Sequence, residues 1–243
     1  MESVYIGSLI SALATGVGAL PILFVKGISN KFRYNLLALA SGIMLAASAF
    51  SLIPEALKAS NLWILGFGLL AGTFLLNLLD QFFCKLDFDN SRLNITISKS
   101  TFVVLCAMTV HNIPEGLSVG VSYGSDNASL GGLIAFAIGL QNAPEGFLVA
   151  LYLIKEKISK WWALLIATGT GLVEFLSSLI GYGLASKIDG IVPFGLSIAA
   201  GAMLFIIYKE LIPESQEGES VRFPTYSFII GLILMLFMVE NLG

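Results

Sequence analysis

Long apolar runs separated by short polar breaks make up almost the whole chain. They cover residues 4–25, 34–56, 61–83, 101–123, 130–154, 161–186, 192–212 and 223–242. A helix rising 1.5 Å per residue needs about 20 apolar residues to cross a bilayer core, and each run is about that long or longer. The breaks are polar: basic at 26–34, polar at 60–61, polar and charged at 88–100, a tight turn at 124–129, lysine-rich at 155–160, a turn at 187–190 and acidic at 214–222. Trp63, Trp161 and Trp162 stand at run ends, where interfacial aromatic belts form. The pattern predicts an all-α polytopic membrane protein with eight transmembrane helices in a single domain covering residues 1–243.

Composition agrees. Charged residues make up 12% of the chain and apolar ones 56%, whereas a soluble domain carries about 25% charged residues. Lipid is therefore the surrounding partner. The net charge of -3 points to no nucleic acid. Cys84 and Cys106 form no CxxC pair and read as small buried apolar residues, with no disulfide expected. The chain starts Met1-Glu2-Ser3 without a positive charge, and Lys26, Lys31 and Arg33 follow the first run, which therefore reads as a helix rather than a cleaved signal. Lys26, Lys31, Arg33, Lys85, Arg92, Lys99, Lys155, Lys157, Lys160, Lys209 and Arg222 fall on one side of the membrane, against Lys58 and Lys187 on the other. By the positive-inside rule the first side is cytoplasmic, and both termini lie outside.

The chemistry concentrates in His111-Asn112-Ile113-Pro114-Glu115-Gly116 and its echo Gln141-Asn142-Ala143-Pro144-Glu145-Gly146. Both lie near the middle of apolar runs. An ionised carboxylate in hydrocarbon is costly, so an intramembrane Glu marks a functional site by default. Residues i and i+4 share a helix face, so His111 with Glu115, and Gln141 with Glu145, can each point at one place. The intervening proline removes a backbone hydrogen bond and frees a carbonyl. Met44 and Glu174 lie at similar depth in the second and sixth runs. Imidazole, thioether, amide and carboxylate together suit a divalent cation, and two or three carboxylates can bridge two ions. Met44 also reads as core filler.

A second echo pairs Leu52-Ile53-Pro54-Glu55 with Leu211-Ile212-Pro213-Glu214, on helices of opposite direction. It predicts a 3+2+3 arrangement, with inverted repeats of spans 1–3 and 6–8 around a central 4–5 hairpin, as in secondary transporters. Other polar residues are candidates for a pathway: Ser51 in the second run, Asp80 and Glu210 as an inner relay, and Glu240 near the outer end of the last run. Each also reads as a solvated helix end. An intramembrane metalloprotease would need a His-Glu-x-x-His helix, and one histidine cannot supply it. The chain is therefore not expected to be an enzyme. A metal-binding sensor without flux is the remaining rival, and uptake into sealed proteoliposomes separates it from a transporter.

The paired motifs resemble the metal-binding signature of the ZIP (Zrt/Irt-like protein) divalent metal transporters, and the resemblance covers nearly the whole chain. It implies metal transport into the cytoplasm, by an elevator-like motion, from a binuclear midplane site. Carried over residue by residue, Met44, His111, Glu115, Gln141 and Glu145 would hold one ion. Asn112, Asn142, Glu115, Glu145 and Glu174 would hold the second. Gln141 stands where many members have His, which is similar to the bacterial GufA-like branch. It reads either as a permissive oxygen ligand or as a hydrogen bond between helices. The 3–4 loop, often His-rich in the family, is short and has no His. Zinc is the expected cargo, with cadmium, iron and manganese beside it, in a prokaryotic plasma (inner) membrane. A homodimer stays open. One consequence of the charge bias is directly measurable. A cysteine at Ser125 should react with an impermeant thiol reagent in intact cells, and one at Ser159 only after permeabilisation; the reverse pattern would overturn the assigned orientation.

Overall fold

The computed structural model describes residues 2–24, 29–84, 99–127, 129–188, 190–218 and 221–242. Lys26, Lys85 and Arg92, which contribute to the charge bias, lie outside the described residues. Among those described the chain is all helical. The helices are α1 (Glu2–Ala19), α2 (Asn30–Lys58), α3 (Leu62–Cys84), α4 (Lys99–Tyr123), α5 (Leu130–Lys155), α6 (Lys160–Ala185), α7 (Ile191–Ser215) and α8 (Arg222–Leu242). Seven of them are long and apolar enough to cross a membrane. The eighth, α4, has 25 residues and carries the first polar motif.

The polar breaks set the helix ends. The Ser29 hydroxyl accepts from Phe32 N, and the Ser159 hydroxyl from Trp162 N, each capping a helix start. The Asn61 side chain accepts from Trp63 N and Ile64 N at the start of α3. Gly190, with φ at 74°, turns the chain into α7 in a left-handed conformation that a side chain would resist. Two helices are not uniformly α. In α2 the stretch Ser48–Leu52 is a π turn, and in α7 so is Ile207–Leu211. Each passes directly into the Ile-Pro-Glu of the second echo, with the proline in the first turn of the resumed α-helix, where its missing N–H costs least.

The helix contacts come in matched sets. The largest join α4 to α6 and α1 to α5, followed by α2 to α8 and α3 to α7, with α1 against α6 next. Smaller contacts join α4 to α7 and α2 to α5, and α4 packs on α5. The α2–α8 and α3–α7 crossings are close enough to need glycine. A Cβ on Gly42 would stand 2.1 Å from Phe228 O, and one on Gly72 would stand 2.0 Å from Ile198 O. Small residues allow this approach where no solvent drives helices together.

The buried centre holds a polar cluster within an apolar core, and the outer surface of the bundle is apolar. Among the described helices, α2 and α5 are mostly buried and α3 and α8 mostly exposed. Phe67, Phe74 and Phe82 on α3 and Ile230, Ile233 and Phe237 on α8 point outward. Ser8, Ser11, Asn112, Glu115, Gln141, Asn142, Glu145 and Glu174 are buried. Trp63, Trp161 and Trp162 stand exposed at the starts of α3 and α6.

Gly66 and Gly72 share α3, but a Cβ on Gly66 meets nothing within 4 Å. Gly72→Ala should therefore lower the unfolding temperature of the detergent-solubilised protein by several degrees, since overpacking costs about 1–3 kcal/mol. Gly66→Ala should leave it unchanged. Equal thermal stability of the two variants would disprove the α3–α7 crossing.

Candidate metal centre

α4 and α5 pack against each other and carry the two motifs at matching depth. Helix geometry puts His111 one turn before Glu115, and Gln141 one turn before Glu145. Both helices run unbroken through Pro114 and Pro144. Each proline removes the N–H that would bond four residues back, so the carbonyls of Val110 and Leu140 lose that partner. The glycine ending each motif sets how close the next helix comes. A Cβ on Gly116 would lie 2.1 Å from Glu174 O on α6, and one on Gly146 would lie 1.9 Å from Thr15 O on α1. The motif glycines thus press α4 onto α6 and α5 onto α1 at the level of the carboxylates.

Side chains then meet in two groups. In the first, Gln141 Nε2 donates to Glu115 Oε1 at 2.5 Å and to Glu145 Oε1 at 3.5 Å. In the second, Glu174 accepts from Asn142 Nδ2 and Ser11 Oγ, both at 2.5 Å, one on each oxygen. Asn142 Nδ2 also donates to Ser11 O at 3.2 Å. Asn112 Nδ2 donates to Met108 O at 3.0 Å and Thr170 O at 3.1 Å, which fixes its amide against α6. Adjacent residues of α5, Gln141 and Asn142, therefore hold carboxylates from α4 and α6. Glu115 and Glu174 are fully buried.

His111 faces differently. Its Nε2 donates to Glu210 Oε2 on α7 at 3.0 Å, so its ring addresses α7. The shared face with Glu115 is available by helix register, but the ring engages Glu210.

Unsatisfied atoms carry the chemical information. Glu115 Oε2, Gln141 Oε1, Asn142 Oδ1 and His111 Nδ1 are buried and have no hydrogen-bond partner. In the neutral ring, with Nε2–H donating to a carboxylate, Nδ1 carries the lone pair. All four are then acceptors, and an orphaned buried acceptor costs about 1–3 kcal/mol. A cation answers such a set, because every member offers it a lone pair. Among the described residues no three His, Cys, Asp or Glu side chains gather tightly enough to hold an ion by themselves. A shell built here would need the amide oxygens of Gln141 and Asn142 as well, which is a harder donor set than imidazole or thiolate alone.

The remaining predicted residues are placed as follows. Met44 is wholly buried midway along α2. Ser51 is buried inside the π turn of α2, and its hydroxyl has no partner. Asp80 on α3 pairs with Lys209, and Glu210, the next residue, pairs with His111. The two ion pairs stand side by side through the adjacent residues Lys209 and Glu210. Glu240 is exposed near the end of α8. Sequence reasoning missed Ser11, whose hydroxyl and carbonyl both enter the second group. A serine in an apolar helix rich in Ser, Ala and Gly gives no sign of its partner; only the α1–α6 contact does.

The sequence model of ZIP zinc transporters matches residues 87–239. The chain belongs to the ZIP zinc transporter family. It is 34% identical to the zinc transporter GufA of Myxococcus xanthus over 98% of both chains. It is 33% identical to the zinc transporter ZIPB of Bordetella bronchiseptica, covering 95% of this chain and 78% of that one. The zinc transporter ZupT of Corynebacterium aurimucosum is 30% identical, over 93% and 92%. The likeness to GufA supports the GufA-like branch of the ZIP family. The family match starts at residue 87 and so takes in α4 to α8, including both motifs, Glu174 and Glu210.

Ser11 should act as a positioning residue in this ZIP chain. Ser11→Ala removes one of the two donors to Glu174 and should weaken divalent-cation binding at least about tenfold, as loss of an outer-shell partner does. Titration calorimetry in detergent reads this, and Ser8→Ala serves as a control on the same helix. Wild-type affinity in Ser11→Ala would mean that Ser11 only ties α1 to α6.

Proposed function

We propose that the protein carries zinc into the cytoplasm through a binuclear centre at the middle of the membrane. The observation that carries this reading is the set of buried, unpartnered acceptors on Glu115, Gln141, Asn142 and His111. Family membership and relatives named zinc transporters support the cargo. Met44, His111, Glu115, Gln141 and Glu145 hold one ion. Asn112, Asn142, Glu115, Glu145 and Glu174 hold the other. Glu115 and Glu145 bridge the two, and each ion replaces a donor amide: Gln141 and Asn142 turn their oxygens towards the metal and release the carboxylates they now cap.

The same reading places the termini outside a bacterial plasma membrane and treats the chain as one transmembrane unit. Its helices form a 3+2+3 arrangement of inverted repeats. Exchanging α1 with α6, α2 with α7, α3 with α8 and α4 with α5 turns the α4–α6 contact into α5–α1, α8–α2 into α3–α7, and α4–α7 into α5–α2; all of these are seen. The exchange also maps one π turn onto the other. On the inward side, His111 passes the ion to Glu210, with the Asp80–Lys209 pair beside it.

Purified protein in sealed proteoliposomes should take up zinc. Glu115→Ala and Glu145→Ala should each abolish uptake and lower binding strongly; near-normal uptake by either well-folded variant would remove the bridging role. Gln141 offers an amide oxygen in place of a second imidazole, which weakens the preference for zinc, so cadmium, iron and manganese should also pass. Gln141→His should shift preference towards zinc in competition uptake against manganese and cadmium. An unchanged preference in a transporting Gln141→His variant would reduce Gln141 to a link between helices.

A further inference from the structure

A cavity of about 60 Å³ lies between α2, α4, α5 and α7, and both His111 and Glu210 line it. Tyr152 and Glu214 line it too. Along their helices these two lie about two turns beyond Glu145 and one turn beyond Glu210, towards the face that carries Lys155. Arg33, one turn into α2 from that same face, closes this end. Its Nη1 donates to the Tyr152 hydroxyl at 2.5 Å and to Glu214 Oε1 at 3.0 Å, and its Nη2 reaches Glu217 Oε2 at 3.5 Å. The Tyr152 hydroxyl donates to the same Glu214 oxygen at 2.8 Å. The guanidinium also stands 4.9 Å from the centre of the Tyr34 ring. The Arg33 side chain is only 15% exposed, yet its Nε has no partner. Tyr152 of α5 and Glu214 of α7 hold it at the mouth, with Glu217 just beyond α7.

We propose that Arg33 is a tethered cation that bolts the inner mouth, holding Glu214 until the departing metal ion displaces it. The inference rests on the transport reading above. Glu210 and Glu214 are one helical turn apart on α7 and line one cavity, so an ion leaving His111 and Glu210 meets Glu214 next. Its Oε1 is already taken by Arg33 and Tyr152. A guanidinium does not give up its proton in a protein, so Arg33 keeps its charge and leaves Glu214 by displacement rather than by deprotonation. A divalent ion brings twice the charge to the same carboxylate in a half-buried setting, where the attraction is stronger than in water. The cargo thus exchanges places with a fixed charge, and with no ion at Glu214 the mouth stays shut.

A cysteine at Ala107, which lines the cavity, reports on the bolt in a background with Cys84→Ser and Cys106→Ser. Proteoliposomes are treated from the Lys155 face with an impermeant thiol reagent, and zinc exchange is measured in parallel. Without zinc, Arg33→Gln should raise the labelling rate of this cysteine at least about tenfold and speed zinc exchange. Arg33→Lys, which keeps the charge but loses the fork, should fall between Arg33→Gln and the wild type. Glu214→Gln should also raise labelling but slow exchange, because the mouth then opens without its ligand. Unchanged labelling in Arg33→Gln, or exchange in Glu214→Gln as fast as in Arg33→Gln, would overturn the proposal. Labelling reads the mouth whether or not zinc moves. A wild type that exchanges no zinc would count against transport itself and leave the labelling comparison intact.

Discussion

Carboxylates held in hydrocarbon govern this molecule. Glu115, Glu145 and Glu174 are all buried among apolar helices. A charged side chain at the bilayer centre costs about 3 kcal/mol or more. Three of them would approach the whole stability of an ordinary domain, about 5–15 kcal/mol. The surroundings answer that cost. Gln141 caps Glu115, Asn142 and Ser11 cap Glu174, and the motif glycines let the backbones of α1 and α6 close over the group. Lipid is excluded not by bulk but by contact so close that a methyl group would not fit.

The polarity of the fold follows. A soluble protein hides its apolar side chains and shows its polar ones, whereas this one hides amides, hydroxyls and carboxylates within an apolar core and shows phenylalanine and isoleucine to its surroundings. With lipid as solvent, apolar burial contributes little between helices, and packing with hydrogen bonds does most of the work. Hence the buried hydroxyls of α1: Ser8 pairs with Ser178, and Ser11 pairs with Glu174. Each ties the same two helices at successive turns.

Much of this was legible before any coordinates. Helix number follows from run length, because only a helix satisfies its own backbone in hydrocarbon. The doubled motif pointed to its own carboxylates because a charge is conspicuous there. Other features left no mark. The residues from Ser48 to Leu52 are apolar or small and would suit an α-helix equally, so the π turn could not be read from them; its one companion in the sequence is the Ile-Pro-Glu that follows both π turns. Asp80 and Glu210 read as one inner relay because both lie near one end of their helices, but which groups each faces was not legible. Successive residues on a helix point in different directions, so Lys209 faces Asp80 while Glu210 faces His111. Depth was readable in the sequence, and azimuth was not.

The two π turns have a consequence of their own. A π turn is an α-helix carrying one residue more than its pitch accommodates. The extra residue rotates everything beyond it by about 100° relative to an uninterrupted helix. In α7 that rotation falls between Met203, whose sulfur receives the Ser48 hydroxyl, and Glu214, which meets Arg33. The inserted residue lets a single helix serve two unrelated faces, one for packing and one for charge. The spacing between them is therefore counted in residues, and a one-residue change in length would alter the site more deeply than most substitutions within it.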